Sequence, residues 1–326
     1  MKMLQKINVK QLINDRNRQK ALANRLFRFC WVIFRTVLLA GIAFLILYPI
    51  FTKLSTSFKS RSDLYDPTSV LIPGSPTVNN YKEVLDFIQY DKALLNTFLF
   101  TGFCALLQTL SCTLVAYGLA RFKFWGRRII FAMSIFVLVI PAQTILLPLY
   151  LQFMSFSPLS FVQLHPSGGV TLLGTYWPLA LLSISCLGVK NGLFIFLMRQ
   201  YFINMPLVLE EAAEIDGCGT FKTFYRIMLP NAVPMIVTVL LFAFVWQWND
   251  YFYNLFLGGE GLGLLSVKIY DIGRIINTQL GDPFNNITTA VYNNAAMMLH
   301  MIPVVILYIF TQRFFIQSIE RSGIVG

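Results

Sequence analysis

The residues best suited to chemistry lie in one short polar run between two apolar stretches. The run holds four carboxylates and then two cations: Glu210, Glu211, Glu214, Asp216, Lys222 and Arg226. Carboxylates at this density can act as acids and bases, bind a metal ion, or pair with basic groups of a partner. The first two roles need a nucleophile or further ligands close by, whereas pairing needs only an accessible surface.

The remaining sequence offers little to a catalytic site. It contains no HExxH and no GxSxG motif, its two histidines (His165 and His300) stand apart, and its five cysteines form no CxxC pair. It also lacks GxxxxGK[ST], the loop that cradles nucleotide phosphates. We therefore expect no catalytic residue, no metal site and no cofactor bound by this chain.

The composition indicates a helical membrane protein. Of 326 residues, 56% are hydrophobic and 13% are charged, against about 25% charged residues in soluble domains. The mean hydropathy is +0.63. Its apolar runs are continuous, whereas the strands of outer-membrane barrels alternate apolar and polar residues. The sequence therefore predicts an all-α polytopic protein in a lipid bilayer.

Six apolar segments are long enough to span the membrane. They are 33–51, 93–120, 129–153, 176–197, 232–248 and 288–310. Pro141 and Pro148 predict a bend or an unwound turn in the third segment. Lys190 lies deep in the fourth or at a break in its GVKNG stretch, so it either faces a water-filled cavity or snorkels towards the interface.

Charge sets the predicted orientation. The net charge is +11, and 18 of the 26 Lys and Arg residues lie in segments 1–35, 121–128, 199–230 and 313–326. Because cations concentrate on the cytoplasmic side, the six spans predict that both termini are cytoplasmic, with a cationic arm at 1–32 before the transmembrane domain at 33–326. No nucleic-acid-binding motif accompanies the charge, so no nucleic acid is expected as a partner.

The polar run then falls in a cytoplasmic loop, 199–230. Pro206 is suited to open a helix there, and Gly217 suits the left-handed position after the helix ends. Thr220 can cap a second helix, which we expect to stop at Pro230. A plain solvated loop with an acidic face is the alternative.

The spacing within this loop resembles that of permease subunits of ABC importers. Their signature is E-A-A, three residues, G, nine residues, I-x-L-P. Its counterparts in this sequence, together with the neighbouring Asp216, are Glu211, Ala212, Ala213, Asp216, Gly217, Ile227, Leu229 and Pro230. Stretches 116–128, 140–150 and 245–252 are similar to the sugar-importer, maltose-permease-like branch, and the resemblance covers about 30–326.

The resemblance implies a type I ABC importer permease fold, with ATP hydrolysis carried out by a separate subunit. The loop would dock in a cleft of a separate ATPase, with Glu211 pairing with a basic residue there and Gly217 shaping the turn. The partners would be a second, related permease, two ABC ATPase subunits that use ATP, and an extracellular solute-binding protein. The location would be the bacterial cytoplasmic membrane.

Polar and aromatic groups at membrane depth are the candidates for the translocation path. They are Lys190, Trp246, Trp248, Asn249, Asp250, Asn293 and Asn294. Sugars are bound by aromatic faces and planar hydrogen-bonding groups, and this set supplies both; helix packing and an interfacial aromatic belt are the alternative explanation. A carbohydrate is the expected cargo. Polyamines or a polyol phosphate are alternatives within the family, and a membrane-embedded enzyme or sensor is the alternative outside it.

Overall fold

In a computed structural model, the described residues are 2–60, 62–66, 69, 71–157, 169–270, 272–279, 281 and 286–323; within them, the side chains of 2–23, 142, 274, 286–287 and 315–323 are not described. The regular secondary structure of this part of the chain is helical, apart from one isolated bridge between Phe156 and Val170, and turns and loops connect the helices. His165, between the third and fourth predicted spans, lies outside the described residues.

The helices have these bounds, in chain order: α1 Lys2–Ser57, α2 Asn79–Ile88, α3 Tyr90–Arg121, α4 Arg127–Phe136, α5 Ala142–Met154, α6 Trp177–Ile184, α7 Asn191–Asn204, α8 Val208–Ile215, α9 Thr220–Thr223, α10 Leu229–Asn231, α11 Val233–Asn249, α12 Leu265–Lys268, α13 Ile272–Gln279 and α14 Asn286–Gly323. Two π turns, Phe224–Met228 and Asn254–Gly258, and a 3₁₀ turn, Glu260–Leu262, lie between them.

Three helical stretches of the described chain are long and apolar enough to cross a membrane: Asn24–Ser57, Tyr90–Arg121 and Thr288–Phe314. Two bent pairs also meet this test: α7 with α8, bent by 71°, and Thr220–Asn231 with α11, bent by 77°. The six predicted spans fall on α1, α3, α4 with α5, α6 with α7, α11 and α14. The count of six stays a prediction.

Residues 1–76 form one unit, made of α1 and the loop after it. Asp63 organises that loop, because its carboxylate accepts hydrogen bonds from the Ser75 backbone N–H (2.9 Å) and the Ser75 hydroxyl (2.8 Å). The bond from the Ser75 backbone is the main reason why the pKa of Asp63 lies below its usual value. The apolar side chains of α1 from Leu26 to Phe51 are exposed.

Residues 77–326 form the second unit, which is built around α3. One face of α3 is buried at helical spacing, with small residues at many of its contacts: Ala93, Thr97, Thr101, Cys104, Ala105, Thr109, Cys112 and Ala116. Small side chains let neighbouring helices approach closely. The larger core packs α3 against α7, α11 and α14, and a smaller one packs its first half against α5 and α6.

Two of the predicted spans are interrupted. α4 and α5 are separated just before Pro141, as its ring predicts. α6 and α7 are separated at 185–190, where Cys186 and Lys190 both have positive φ. Gln108 of α3 packs into this second break, donating from Nε2 to the Val189 carbonyl at 3.4 Å. The polar backbone freed by the break is therefore partly satisfied inside the protein, as membrane depth demands.

Candidate functional site

The polar run folds into two short helical halves, which we call the acidic hairpin (206–231). α8 follows Pro206 and ends in a Schellman motif, in which Cys218 N–H donates to the Ala213 carbonyl (2.9 Å) and Gly217 N–H to the Glu214 carbonyl (3.0 Å). Gly217 has φ +74°, the left-handed conformation predicted for it. This glycine sets the sharp turn between the two halves.

The second half differs from its prediction in two ways. Gly219, not Thr220, occupies the N-cap position, and Thr220 begins α9. The helix also does not stop at Pro230: it widens into the Phe224–Met228 π turn and continues to Asn231. Leu229 N–H bonds to the Phe224 carbonyl five residues back, so the widened turn accommodates the proline before the 77° bend into α11.

The outer face of the acidic hairpin combines apolar and acidic side chains. Ile215 is 87% exposed and Phe221 is 74% exposed. Glu211, Ala212 and Asp216 are exposed beside them, whereas Ala213 is buried and Ile227 and Leu229 are half-buried. Glu211 and Asp216 form no ion pair with the described residues. Large exposed apolar side chains rimmed by charge are typical of a protein-docking surface.

The inner face is held by a residue to which the sequence assigned no role. Arg121, at the end of α3, places Nε 3.1 Å from Glu210 Oε1, an ion pair whose geometry is not that of an aligned hydrogen bond. Its Nη2 donates to the Met205 carbonyl at 2.9 Å, and the Tyr117 hydroxyl donates to Glu210 Oε1 at 3.3 Å. Glu210 and Glu211 are thus neighbours that face opposite ways.

The path candidates on α11 have different surroundings. Trp246 is half-buried, with ring contacts to Phe194 of α7 (5.9 Å) and to Phe242 (5.7 Å). Asn249 is exposed. Trp248 is fully buried, stacks on His300 with ring centroids 5.4 Å apart, and donates from Nε1 to the His300 carbonyl at 3.2 Å. This geometry is that of a packing residue.

The other path candidates lie at helix ends and in the last helix. Lys190 is exposed at the break before α7, one turn from Phe194. Asp250 follows α11, and its Oδ2 is buried with no hydrogen-bond partner among the described residues. Asn293 Oδ1 accepts the Gly273 N–H at 2.8 Å, and Asn294 is half-buried. Trp246 therefore contacts α7, the helix that begins just after Lys190, whereas Asn293 contacts α13.

No group of three His, Cys, Asp or Glu residues within the described ranges is placed to hold a metal ion. The two buried cysteines of the described residues, Cys104 and Cys112, lie in the cores around α3, and His300 is stacked on Trp248 of α11. Cys218 is a thiol of the hairpin itself, but it forms no such group with the hairpin's acids.

Comparison with known proteins gives a family and close parallels. Residues 112–321 match the family described as binding-protein-dependent transport system inner membrane component. The melibiose/raffinose/stachyose import permease protein MelC of Bacillus subtilis is 27% identical over 292 residues, covering 89% of this chain and 96% of its own. The galactooligosaccharides transport system permease protein GanQ of the same organism is 27% identical over 305 residues, covering 92% and 97%.

The fold is also found in a solved structure. A chain in the crystal structure of a bacterial ABC transporter involved in the import of the acidic polysaccharide alginate superposes with a TM-score of 0.67. The two sequences are 24% identical, and the superposition covers 87% of this chain and 96% of the other. The predicted all-α fold of an importer permease is thereby confirmed, and the resemblance read from the EAA spacing agrees with the family match.

Proposed function

Because the chain belongs to the family of binding-protein-dependent transport system inner membrane components, we propose that it is the permease subunit of an ATP-driven importer that carries a carbohydrate across the bacterial cytoplasmic membrane. The chain is a transport subunit without an ATPase site of its own. ATP is used by partner subunits.

The outer face of the acidic hairpin is the observation that carries this proposal. Ile215 and Phe221 project from it as apolar anchors, and Glu211 supplies an unpaired carboxylate beside them. Interface anchors of this kind fill pockets, and a charge at the rim fixes orientation. Such a surface fits a cleft in a separate ATPase subunit, which would receive the signature residues from Glu211 to Pro230.

The cargo is supported by the names of the relatives and by the chemistry of the path candidates. The names of the two relatives reported above mention melibiose, raffinose, stachyose and galactooligosaccharides. Trp246 offers an aromatic face, and Lys190 and Asn249 are exposed polar groups. We propose these three as path residues, and Asp250, Asn293 and Asn294 as polar groups near it. Trp248 remains a candidate, although its burial favours a role in packing.

The assembly would hold a second, related permease, two ABC ATPase subunits and an extracellular solute-binding protein. Similarity to a second solved structure supports the solute-binding protein as a partner. That structure is of a bacterial alginate ABC transporter in complex with a periplasmic protein that binds an alginate pentasaccharide, and one of its chains superposes on this chain with a TM-score of 0.60. This chain would cross the membrane several times, with the cationic arm and the acidic hairpin on the cytoplasmic side.

Co-purification tests the docking role. The chain is expressed with ATPase chains from its own source, and bound ATPase and uptake are measured with and without Glu211→Ala combined with Gly217→Pro. Proline cannot adopt the φ of +74° at 217, so we expect association and uptake to be lost. Asp86→Ala combined with Gly102→Ala is the matched control, since Asp86 is exposed on α2 and Gly102 lies in α3, where an added Cβ meets nothing within 4 Å. Retained association and uptake in the first variant would contradict the proposal.

A substrate panel tests the cargo. The solute-binding partner is titrated with oligosaccharides, polyamines and polyol phosphates, and ATP-dependent uptake of the tightest ligand is followed in proteoliposomes. We expect an oligosaccharide to bind and to be imported. Import of a polyamine or a polyol phosphate instead would replace the proposed cargo while leaving the transport role in place.

A further inference from the structure

Arg121 holds the corner at which α7 turns into α8. One nitrogen of its guanidinium contacts the Met205 carbonyl, which lies in the corner itself, and another lies beside Glu210 in the first turn of α8. The two helices are bent by 71°. A planar guanidinium that contacts both sides of a bend restrains its angle, which the point charge of a lysine could not do as well.

This contact is shielded from solvent. The side chains of Arg121 and Glu210 are 8% and 17% exposed. Surface ion pairs are screened and add little, whereas removal of one partner from a buried pair leaves the other charge uncompensated. The pair is therefore able to transmit force between the two elements that it joins.

Tyr117 adds a second connection one turn earlier on α3. Its hydroxyl contacts Glu210, and its ring packs against Phe202 of α7 (5.4 Å) and Phe224 of the π turn (4.6 Å). α3, α7 and both halves of the acidic hairpin thus meet within two turns of α3. Movement of the hairpin cannot leave the end of α3 undisturbed.

The opposite end of α3 contacts different elements. Thr97 Oγ1 accepts the Leu265 N–H at 2.7 Å, and the Tyr90 hydroxyl donates to the Leu299 carbonyl of α14 at 2.8 Å. Between these ends α3 is one uninterrupted helix of 32 residues without proline. It is thus the continuous element between the hairpin and the start of α12.

We propose that the Arg121–Glu210 pair is the joint through which movement of the acidic hairpin reaches α3, and that both residues are positioning residues in the coupling of ATP hydrolysis to transport. The two adjacent acids then have different roles: Glu211 faces outward and docks on the ATPase, and Glu210 faces inward and contacts α3. This inference rests on the proposed function.

The test uses the whole transporter in proteoliposomes, with its ATPase and solute-binding protein. Imported solute per ATP hydrolysed is measured for Arg121→Gln, Glu210→Gln, the double variant and the exchanged pair Arg121→Glu/Glu210→Arg. Arg128→Gln is the matched control, because Arg128 is an exposed arginine at the same end of the bundle. Bound ATPase is measured in each, since docking is assigned to the other face of the hairpin.

We expect each single variant to keep its ATPase but to import at least roughly fivefold less solute per ATP, within the usual range of couplings between sites. The double variant should lose no more than either single one, and Arg128→Gln should match the wild type. Arg121→Lys keeps the positive charge but loses the planar guanidinium, so its imported solute per ATP should lie between that of the wild type and that of Arg121→Gln. This variant serves as the test if Arg121→Gln does not accumulate.

Two outcomes overturn the inference. One is wild-type solute per ATP in the single variants. The other is losses that add in the double variant, because the residues then act independently. If the wild-type assembly itself shows no ATP-dependent uptake, the proposed function fails, and that result is distinct from either of these.

Discussion

Tyr117 and Phe224 pack with their ring centroids 4.6 Å apart, which joins the end of α3 to the π turn of the acidic hairpin. Phe224 is buried, whereas Phe221, three residues earlier, is 74% exposed. One aromatic side chain therefore fixes the hairpin to the bundle, and the other projects from its outer face.

This pair of phenylalanines gives the first prediction. Phe224→Ala should lower the thermal unfolding midpoint, because truncating a buried phenylalanine costs about 3–5 kcal/mol. Phe221→Ala should leave the midpoint unchanged and reduce the amount of co-purified ATPase. Thermal unfolding in detergent and co-purification measure the two effects. Equal destabilisation by both changes would contradict the assigned faces.

The turn of the hairpin gives the second prediction. Gly217→Ala places a Cβ at φ +74°, which costs about 1–2 kcal/mol. If that strain acts on the docking conformation, ATPase affinity should fall by roughly 5- to 30-fold. Gly102→Ala is the control, because Gly102 lies in α3, outside the hairpin, and nothing lies within 4 Å of its added Cβ. A titration of ATPase against each variant measures the difference.

Close approach between helices gives the third prediction. A Cβ at Gly192 would clash with the Ser134 backbone carbonyl oxygen of α4, whereas one at Gly102 of α3 meets nothing within 4 Å. Gly192→Ala should therefore destabilise by about 1–3 kcal/mol or more through overpacking. Gly102→Ala should be neutral or slightly stabilising, since alanine favours helix. Unfolding midpoints that shift alike in both variants would argue against the α4–α7 contact.

The loop after α1 gives a prediction that depends on pH. The pKa of Asp63 is lowered in the folded loop by its bonds to Ser75, from about 3.9 in an unfolded chain. Its stabilisation is therefore present above pH about 3.9 and is lost as the pH falls through the lower, folded value. Hydrogen exchange of 59–76 should show protection at pH 7 that disappears in acid.

Asp63→Asn should remove most of that protection already at pH 7 and abolish its dependence on pH. Asp86→Asn, at an exposed acid of α2, should leave the exchange of 59–76 unchanged. Protection that persists in Asp63→Asn would show that the loop is held by other contacts.

Local signals predicted much of the hairpin. Gly217 follows a run of good helix formers, and a glycine there has one favoured conformation, which the structure has. The helix runs one residue past the stop expected at Pro230, to Asn231, after a π turn that nothing in the local sequence distinguishes from a helix end. Similarly, Gly219 rather than Thr220 precedes the second half, and glycine is about as good an N-cap residue as threonine.

The sequence alone did not predict the tertiary contacts. Glu210 and Glu211 are chemically identical, and which one turns inward depends on where α3 ends, about 90 residues earlier along the chain. Trp246 and Trp248 are also alike in sequence, yet only Trp248 reaches His300 on α14. Spacing identified the chemistry available at these positions, while the packing of distant helices decided which side chain was buried.

The uninterrupted course of α3 has a mechanical consequence. With 32 residues it is about 48 Å long, well beyond a hydrocarbon core of about 30 Å. A rotation of only about 5° around its midpoint displaces each end by about 2 Å in opposite directions, given that length. Displacements of that size exceed the tolerance of hydrogen bonds near 2.7–2.9 Å such as those at Thr97 and Arg121. Such a rotation, with the neighbouring helices held in place, would therefore break contacts at both ends of α3 together.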